Sequence, residues 1–296
     1  MKKESKNIFC SVSSGYSSVL MAIKMKEWYP DHNIIYGMAN TSKEDPESLK
    51  FMNECDKYFG LNLIWIEGII SQTKNVGTGF GIRSFEDLKT EGEIFEEGIK
   101  KYGIPSKVNK WCNRELKLVP IKKFLDKYFG NNNYSIAVGI RADEIDRVSI
   151  NYFNNNVFYP LADKLITTRH RNKFWAEQPI ALGIPAFKGN CRKCFEKSNR
   201  KLLTIIKEDL ENGIESFWEL DMEELYSDIK LEGKESYNSF IENEGGHYFY
   251  RGNTPFKKLI EMAKTEKFRK ATDEYIYEND LFDQEDECGS ACVPFN

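Results

Sequence analysis

Short apolar runs alternate with longer amphipathic ones along the first half of the chain. Asn7 to Val12 (NIFCSV), Asn33 to Met38 (NIIYGM), Leu61 to Ile66 (LNLIWI) and Tyr134 to Ile140 (YSIAVGI) are apolar almost throughout. That pattern predicts strands buried on both faces, as in a parallel sheet, rather than the strict alternation of a half-exposed one. Stretches of helical spacing lie between them. Ser18 to Trp28 carries Val19, Leu20, Ile23 and Met25 among its apolar positions. Asp45-Pro46 reads as an N-cap followed by proline at the first helical position, opening a helix that runs to Phe59 and ends at Gly60. Glu115 to Phe129 is amphipathic, with Pro120 marking a kink or a start. Strands separated by helices of this length imply right-handed crossovers.

The rest of the chain is less regular. Residues 68–110 hold several glycines and charges and read as an insertion that covers a site. Thr168 to Leu182 is predicted helical, Gly189 to Phe195 forms a cysteine knuckle, and the chain from Glu196 onward reads as mostly helical. The expected fold class is therefore α/β. A parallel sheet with helices on both faces spans residues 1–165, and a mostly helical, cysteine-containing part spans residues 166–296.

Composition narrows the function. The chain has 296 residues, 41% of them hydrophobic, enough for a sizeable core. No apolar run approaches the ~20 residues that span a bilayer, so no membrane partner is expected. The charged N-terminus lacks the apolar segment of an export signal, which points to the cytoplasm. A net charge of −4 argues against a generic polyanion binder but leaves room for a local basic face. Seven cysteines, an odd number, fit a reducing compartment in which thiols serve chemistry or metals.

The first chemical signal is the loop between the first strand and the first helix, Ser13-Ser14-Gly15-Tyr16-Ser17-Ser18. Small residues let the backbone curl so that its N–H groups and the helix N-terminus face an anion, with the hydroxyls of Ser13, Ser14, Ser17 and Ser18 as further donors. The Walker lysine and the G-x-G-x-x-G pattern are both absent. Asn40-Thr41 and Arg141 to Arg147 also follow predicted strands, where nucleotides bind in open parallel sheets. Arg141 and Arg147 suit a phosphate or sulfate group, and Asp143 and Glu144 suit Mg²⁺ or a ribose.

These segments together resemble a family. The loop is similar to a degenerate S-G-G-x-D-S signature of the adenine nucleotide α-hydrolases, with Ser13, Gly15 and Ser18 on the motif, Ser14 replacing a glycine and Ser17 the aspartate. Ala39-Asn40-Thr41-Ser42-Lys43-Glu44 resembles the family's A-N-T-G-K-E segment, and Gly139-Ile140-Arg141-Ala142-Asp143-Glu144 with Arg147 its G-I-R-A-D-E…R segment. Tyr159-Pro160-Leu161 and Asn190-Cys191-Arg192-Lys193-Cys194-Phe195 follow in the family's order. The likeness is to the phosphoadenosine phosphosulfate (PAPS) reductase-like proteins of phages and prophages, and more distantly to the DNA phosphorothioation sulfurtransferase. It implies a nucleotide-binding enzyme of sulfur transfer acting in a host cytoplasm. Its ligand would be ATP or a PAPS or adenylylsulfate-type nucleotide. It would bind at Ser13, Ser14, Gly15, Ser17, Ser18, Asn40, Thr41, Arg141, Asp143 and Arg147, with Arg141 acting in catalysis. Nucleic acid as sulfur acceptor, a cysteine desulfurase or thioredoxin-type donor, and a homo-oligomer are the partners it suggests.

The cysteines are the second signal. Cys191-x-x-Cys194 grips one metal centre or forms a redox pair, and Cys288-x-x-x-Cys292 adds a second pair of thiols. Cys112-Asn113-Arg114-Glu115-Leu116-Lys117-Leu118-Val119-Pro120 resembles the C-C-x-x-R-K-x-x-P segment of assimilatory adenylylsulfate reductases, with Asn113 in place of the second cysteine. That likeness implies a four-iron (4Fe-4S) cluster on Cys112, Cys191, Cys194 and Cys292, with Cys288 as alternative fourth ligand and zinc as alternative metal. Glu287-Cys288-Gly289 resembles the E-C-G-x-H tail of the reductases, which would make Cys288 the nucleophile, but Ala291 stands where the histidine belongs. Eight acids and no base between Asp273 and Glu287 would raise that thiol's pKa. Cys10 and Cys55 fall within apolar elements and are expected in the core. The bases Lys188, Arg192, Lys193, Lys197, Arg200 and Lys201 around the knuckle, with Arg169, His170, Arg171 and Lys173 upstream, read as a solvated face, a nucleic-acid contact or an offset for anionic ligands. A reading from another class is a regulator that binds nucleotide without turnover and holds structural zinc.

Overall fold

The computed structural model describes residues 6–107, 109–148 and 156–272. Cys288 and Cys292 lie outside the described residues. The opening strand β1 (Asn7–Ser11) leads into α1 (Tyr16–Trp28), then β2 (Asn33–Asn40), α2 (Pro46–Phe59), β3 (Ile64–Ile69), β4 (Gly79–Arg83) and α3 (Glu93–Tyr102). Next come α4 (Trp111–Asn113), a π-helical turn (Arg114–Leu118), α5 (Val119–Phe129), β5 (Ser135–Val138), a 3-10 turn (Ala142–Arg147), β6 (Val157–Phe158), α6 (Pro160–Asp163) and α7 (Thr168–Ala176). The remaining α-helices are α8 (Asn199–Glu211), α9 (Trp218–Tyr226), α10 (Glu235–Glu244) and α11 (Phe256–Thr265).

The six strands form one sheet in the order β4-β3-β2-β1-β5-β6. All neighbours are parallel except β4, which pairs antiparallel with β3 at the edge. Phe9 sits in register between Ile35 and Ile136. Chain order reverses at the β1/β5 junction, the point at which open α/β sheets place a ligand crevice outside the strands' carboxyl ends. One face of the sheet is covered by α1, α2 and the Trp175–Leu182 stretch, and the other packs on α5 through Ile121, Phe124 and Leu125. A further core joins α3 and Trp111 to α8, α9 and α11. The α/β class and the helical character of the later chain are as the sequence pattern implies.

Several boundaries differ from expectation, each for a local reason. The third strand begins at Ile64 rather than Leu61 because Asp56 reaches past the end of α2: its carbonyl accepts from Leu61 N and its carboxylate from Leu63 N, with Asn62 left-handed between them at φ 59°. Pro120 lies at the start of α5, directly after the π-helical turn, where its missing N–H costs least. The helix predicted to run to Leu182 stops at Ala176, shortly before Pro179. The 68–110 insertion holds β4 and α3.

Candidate functional site

Two loops, 13–18 after β1 and 139–147 after β5, face each other at this switch-point crevice. Gly15 caps α1 in an extended conformation without a side-chain hydrogen bond, which leaves the backbone donors of the first turn open. The Ser18 hydroxyl lies 2.9 Å from that of Ser13 and within 3.1 Å of its backbone N–H, so the loop is closed on itself. Ser14 is 1% exposed, and its hydroxyl has no hydrogen-bond partner among the described residues. A buried, unsatisfied hydroxyl is costly unless a ligand satisfies it. Ser17 accepts a 2.7 Å hydrogen bond from the buried Arg141 guanidinium, which bridges the crevice from β5 to the β1 loop. Gly139 makes this approach possible, since a Cβ there would lie 2.7 Å from Ser18 Cα.

Arg141 is held on three sides. Its Nε donates to Asp143 Oδ1 at 2.9 Å, and Nη1 pairs with Glu144 at 3.0 Å. Arg147 pairs with the same Glu144. Asp143 Oδ2 accepts from Thr168 N and Oγ1 at 2.8 and 2.5 Å. Burial raises the Asp143 pKa, but the Thr168 donors and Arg141 outweigh it and hold the carboxyl below its ordinary value. The structure thus brings together Ser13, Ser14, Gly15, Ser17, Ser18, Arg141 and Asp143, with Arg147 paired on the same turn.

Asn40 and Thr41 leave the neighbouring strand β2 but turn towards a second feature. Asn40 donates to Glu67 at 2.7 Å and to the Lys89 carbonyl at 2.8 Å. Thr41 donates to Glu44 through N and Oγ1, and its Oγ1 lies 3.5 Å from Cys191 Sγ. Ser42 is left-handed (φ 67°), where the resembled segment has a glycine. Its buried hydroxyl receives Ile94 N at 3.1 Å, which caps α3 from a distance.

The second feature is a chamber lined by Cys112, Cys191 and Cys194 together with Thr41, Lys43 and Trp218. Glu44 bridges to Cys191 in a short antiparallel contact, and Arg192 N donates to the Lys43 carbonyl at 3.1 Å, so the knuckle is laid onto the β2 loop. Cys112 arrives from the other side, in the turn before the π-helical segment; such segments are frequent at functional sites. Burial, and then the neighbouring Cys191, push the Cys112 thiol up to about 12. Among the described residues no three His, Cys, Asp or Glu side chains are grouped as ligands of one ion. Cys10 and Cys55 are fully buried in the core.

Sequence reasoning missed the charged shell of this chamber. Lys43 lies 3.9 Å over the Trp218 ring and 3.2 Å from Glu219. Lys193 pairs with the buried Asp209 at 2.9 Å, and Arg192 pairs with Asp45 at 2.5 Å and with Asp209. Lys188 pairs with Glu208 at 2.5 Å, and buried Lys197 donates to the Gly189 and Arg192 carbonyls. Arg192 and Lys193 therefore offset buried acids, and Lys197 is buried on backbone carbonyls, so these three bases do not form a solvated face. The local signal was Lys193 inside the knuckle; Trp218 and Glu219 gave none.

No family model matches the chain. It is 30% identical over 204 residues to an uncharacterized nin-region protein of Escherichia phage lambda, an alignment covering 67% of each protein. An uncharacterized protein of Methanocaldococcus jannaschii is 23% identical over 198 residues, covering 66% of this chain and 35% of that protein. A second one is 26% identical over 157 residues, covering 53% and 31%. The chain thus spans about a third of the length of these two archaeal relatives. Among solved structures, the U34-tRNA thiolase NcsA from Methanococcus maripaludis with its 4Fe-4S cluster matches at 16% identity and a TM-score of 0.35, over 78% of this chain and 76% of that one. Among the described residues no helix is long and apolar enough to cross a membrane.

Proposed function

We propose that this chain, which belongs to the family of the phage lambda nin-region protein, is an adenine-nucleotide-dependent enzyme of sulfur transfer. The observation that carries this reading is one juxtaposition. The switch-point loops after β1 and β5, with the buried unsatisfied Ser14 hydroxyl, and a chamber lined by three cysteines lie at the carboxyl edge of the same sheet, one strand apart. The Ser13–Ser18 loop would take the phosphates of ATP, with Ser14 satisfied by the ligand and Arg141 holding the loop against β5. ATP-dependent activation of an acceptor, with pyrophosphate leaving, fits better than sulfonucleotide reduction, because the reductase-type tail lacks its histidine at Ala291.

Cys112, Cys191 and Cys194 line one chamber and would have to draw closer together to hold a metal centre, since among the described residues no three ligands are grouped for one ion. The donor set is all thiol, which suits iron–sulfur clusters and zinc alike. Cys288 or Cys292, outside the described residues, would complete it. A four-iron cluster, the favoured occupant, supplies a redox-active, sulfur-rich site beside the nucleotide. The chain's own contribution is positional: the β2 loop clamps Cys191, the turn before the π-helical segment presents Cys112, and the paired lysines form a charged shell around a largely apolar chamber.

The test is iron, zinc and sulfide analysis with a visible spectrum of anaerobically purified protein, alongside pyrophosphate release from ATP with candidate acceptors. Iron with matching sulfide, lost on the double change Cys191→Ser and Cys194→Ser, is expected. A colourless zinc protein that binds ATP without releasing pyrophosphate would instead identify a nucleotide-binding regulator.

A further inference from the structure

Helix α7 carries a charge pattern that its own stability does not explain. Its first turn holds Arg169 and Arg171 and no acid, at the end of a helix where positive charge is unfavourable, while His170 Nδ1 accepts from Thr167 N at 3.2 Å and caps the helix. Arg169 and Lys173, four residues apart, repel each other on one face. No acid occurs from Lys164 to Ala176; Asp163 and Glu177 bracket the stretch. Arg169, His170 and Lys173 are exposed.

The buried side of α7 is fixed to both halves of the crevice. Thr168 is bonded to Asp143, as described. Trp175 Nε1 donates to the Tyr16 carbonyl at 3.0 Å, and the Tyr16 hydroxyl accepts from Leu182 N at 2.9 Å. Two large apolar side chains stand out at the same rim. Ile145 is 65% exposed on the turn that follows Arg141, and Leu165 is 72% exposed next to Ile166, whose carbonyl accepts from Ala142 N at 2.9 Å. A rigid cationic helix flanked by exposed apolar groups, at the mouth of a crevice, matches a phosphate backbone with its bases turned inward.

We propose that the outward face of α7, with Ile145 and Leu165, binds single-stranded nucleic acid and leads one base into the crevice. Single-stranded substrate is specified because chemistry on a base requires the base to be out of its stack. The assignment of the bound strand as single and as sulfur acceptor rests on the sulfur-transfer reading; the cationic binding surface does not.

The experiment measures fluorescence anisotropy of labelled single-stranded RNA and DNA with the full chain across a salt series, for wild type and for Arg169→Gln with Lys173→Gln. ATP affinity and metal content are measured on the same samples, and a milder Lys173→Gln variant guards against misfolding. The double change should weaken binding about tenfold and lower the salt slope by roughly 1.4, as expected for two lost phosphate contacts to a single strand. ATP affinity and metal content should stay unchanged. Absence of binding by wild type, an unchanged slope in the double variant, or binding to anionic vesicles but not to oligonucleotide would each overturn the surface. Charge-dependent oligonucleotide binding by a protein that binds no ATP would keep the surface and sink the sulfur-transfer reading instead.

Discussion

Two residues at the switch point test the crevice from opposite directions. A Cβ at Gly139 would meet Ser18 Cα at 2.7 Å and its backbone N at 3.0 Å, both backbone atoms that cannot swing aside. Gly139→Ala must therefore part β5 from the head of α1, with an overpacking cost of about 1–3 kcal/mol. A lowered Tm together with weakened ATP binding is expected; unchanged ATP affinity would separate this contact from the site. Ser14 behaves in the reverse sense. Its hydroxyl is buried and unsatisfied, so Ser14→Ala should leave the free protein as stable or up to about 1 kcal/mol more stable. If the hydroxyl meets a nucleotide, the same change should weaken ATP binding roughly two- to tenfold, read by calorimetry. Loss of stability without loss of affinity would make Ser14 a packing residue. The sequence marked this loop by its small residues, but it could not say which hydroxyl is spent inside the loop, as that of Ser18 is, and which is left over.

At the scale of elements, Glu223 on α9 holds two backbone segments at once. Its carboxylate accepts from Phe249 N at 3.2 Å and from Phe256 N, the first residue of α11, at 2.6 Å. Burial pushes its pKa from 4.5 up to about 7, against the pull of these two donors. A carboxyl that ionises later in the folded than in the unfolded chain contributes stability that is complete below pH 4.5 and is lost as pH rises towards 7. The loss is of order 3 kcal/mol at most. Denaturant unfolding at pH 5 and pH 8 should show wild type losing more stability across this range than Glu223→Gln; equal losses would show that Glu223 does not titrate there. Nothing in the spacing of Glu223 marks it, because its role depends on chain that folds back more than twenty residues later. The same reason explains which elements were legible. Asp45-Pro46 and Gly60 delimit α2 through contacts within a few residues, whereas β4 exists only by pairing with β3, and GFGIR carries no alternation of its own.

Across the whole molecule, the sheet and the later helices meet through charge as well as through apolar packing. The parallel sheet and the loops at its strand ends followed from the alternation of apolar runs, and the C-x-x-C spacing marked the chamber. The shell that joins them was hidden, because Asp45, Arg192, Asp209, Lys193, Glu219 and Lys43 are scattered through the sequence and read singly as surface charges. In the fold Asp45, Asp209 and Glu219 are each at most 4% exposed, and Arg192 spans from the cap of α2 to α8. Neutral partners of similar shape could replace such a network at little cost, but removing one member strands the others. Arg192→Met should therefore destabilise the protein by about 3 kcal/mol, because among the described residues Asp45 loses its charged partner while Asp209 keeps only Lys193. Adding Asp45→Asn and Asp209→Asn to Arg192→Met should recover part of that loss, since the stranded charges are then gone. Chemical denaturation of the single and triple variants decides the matter. If the single change costs nothing, the knuckle is held to the sheet by its backbone contacts with Lys43 and Glu44 alone. If it costs as much with the acids neutralised, the guanidinium acts through packing, and the network is not what binds the cysteine chamber to the sheet.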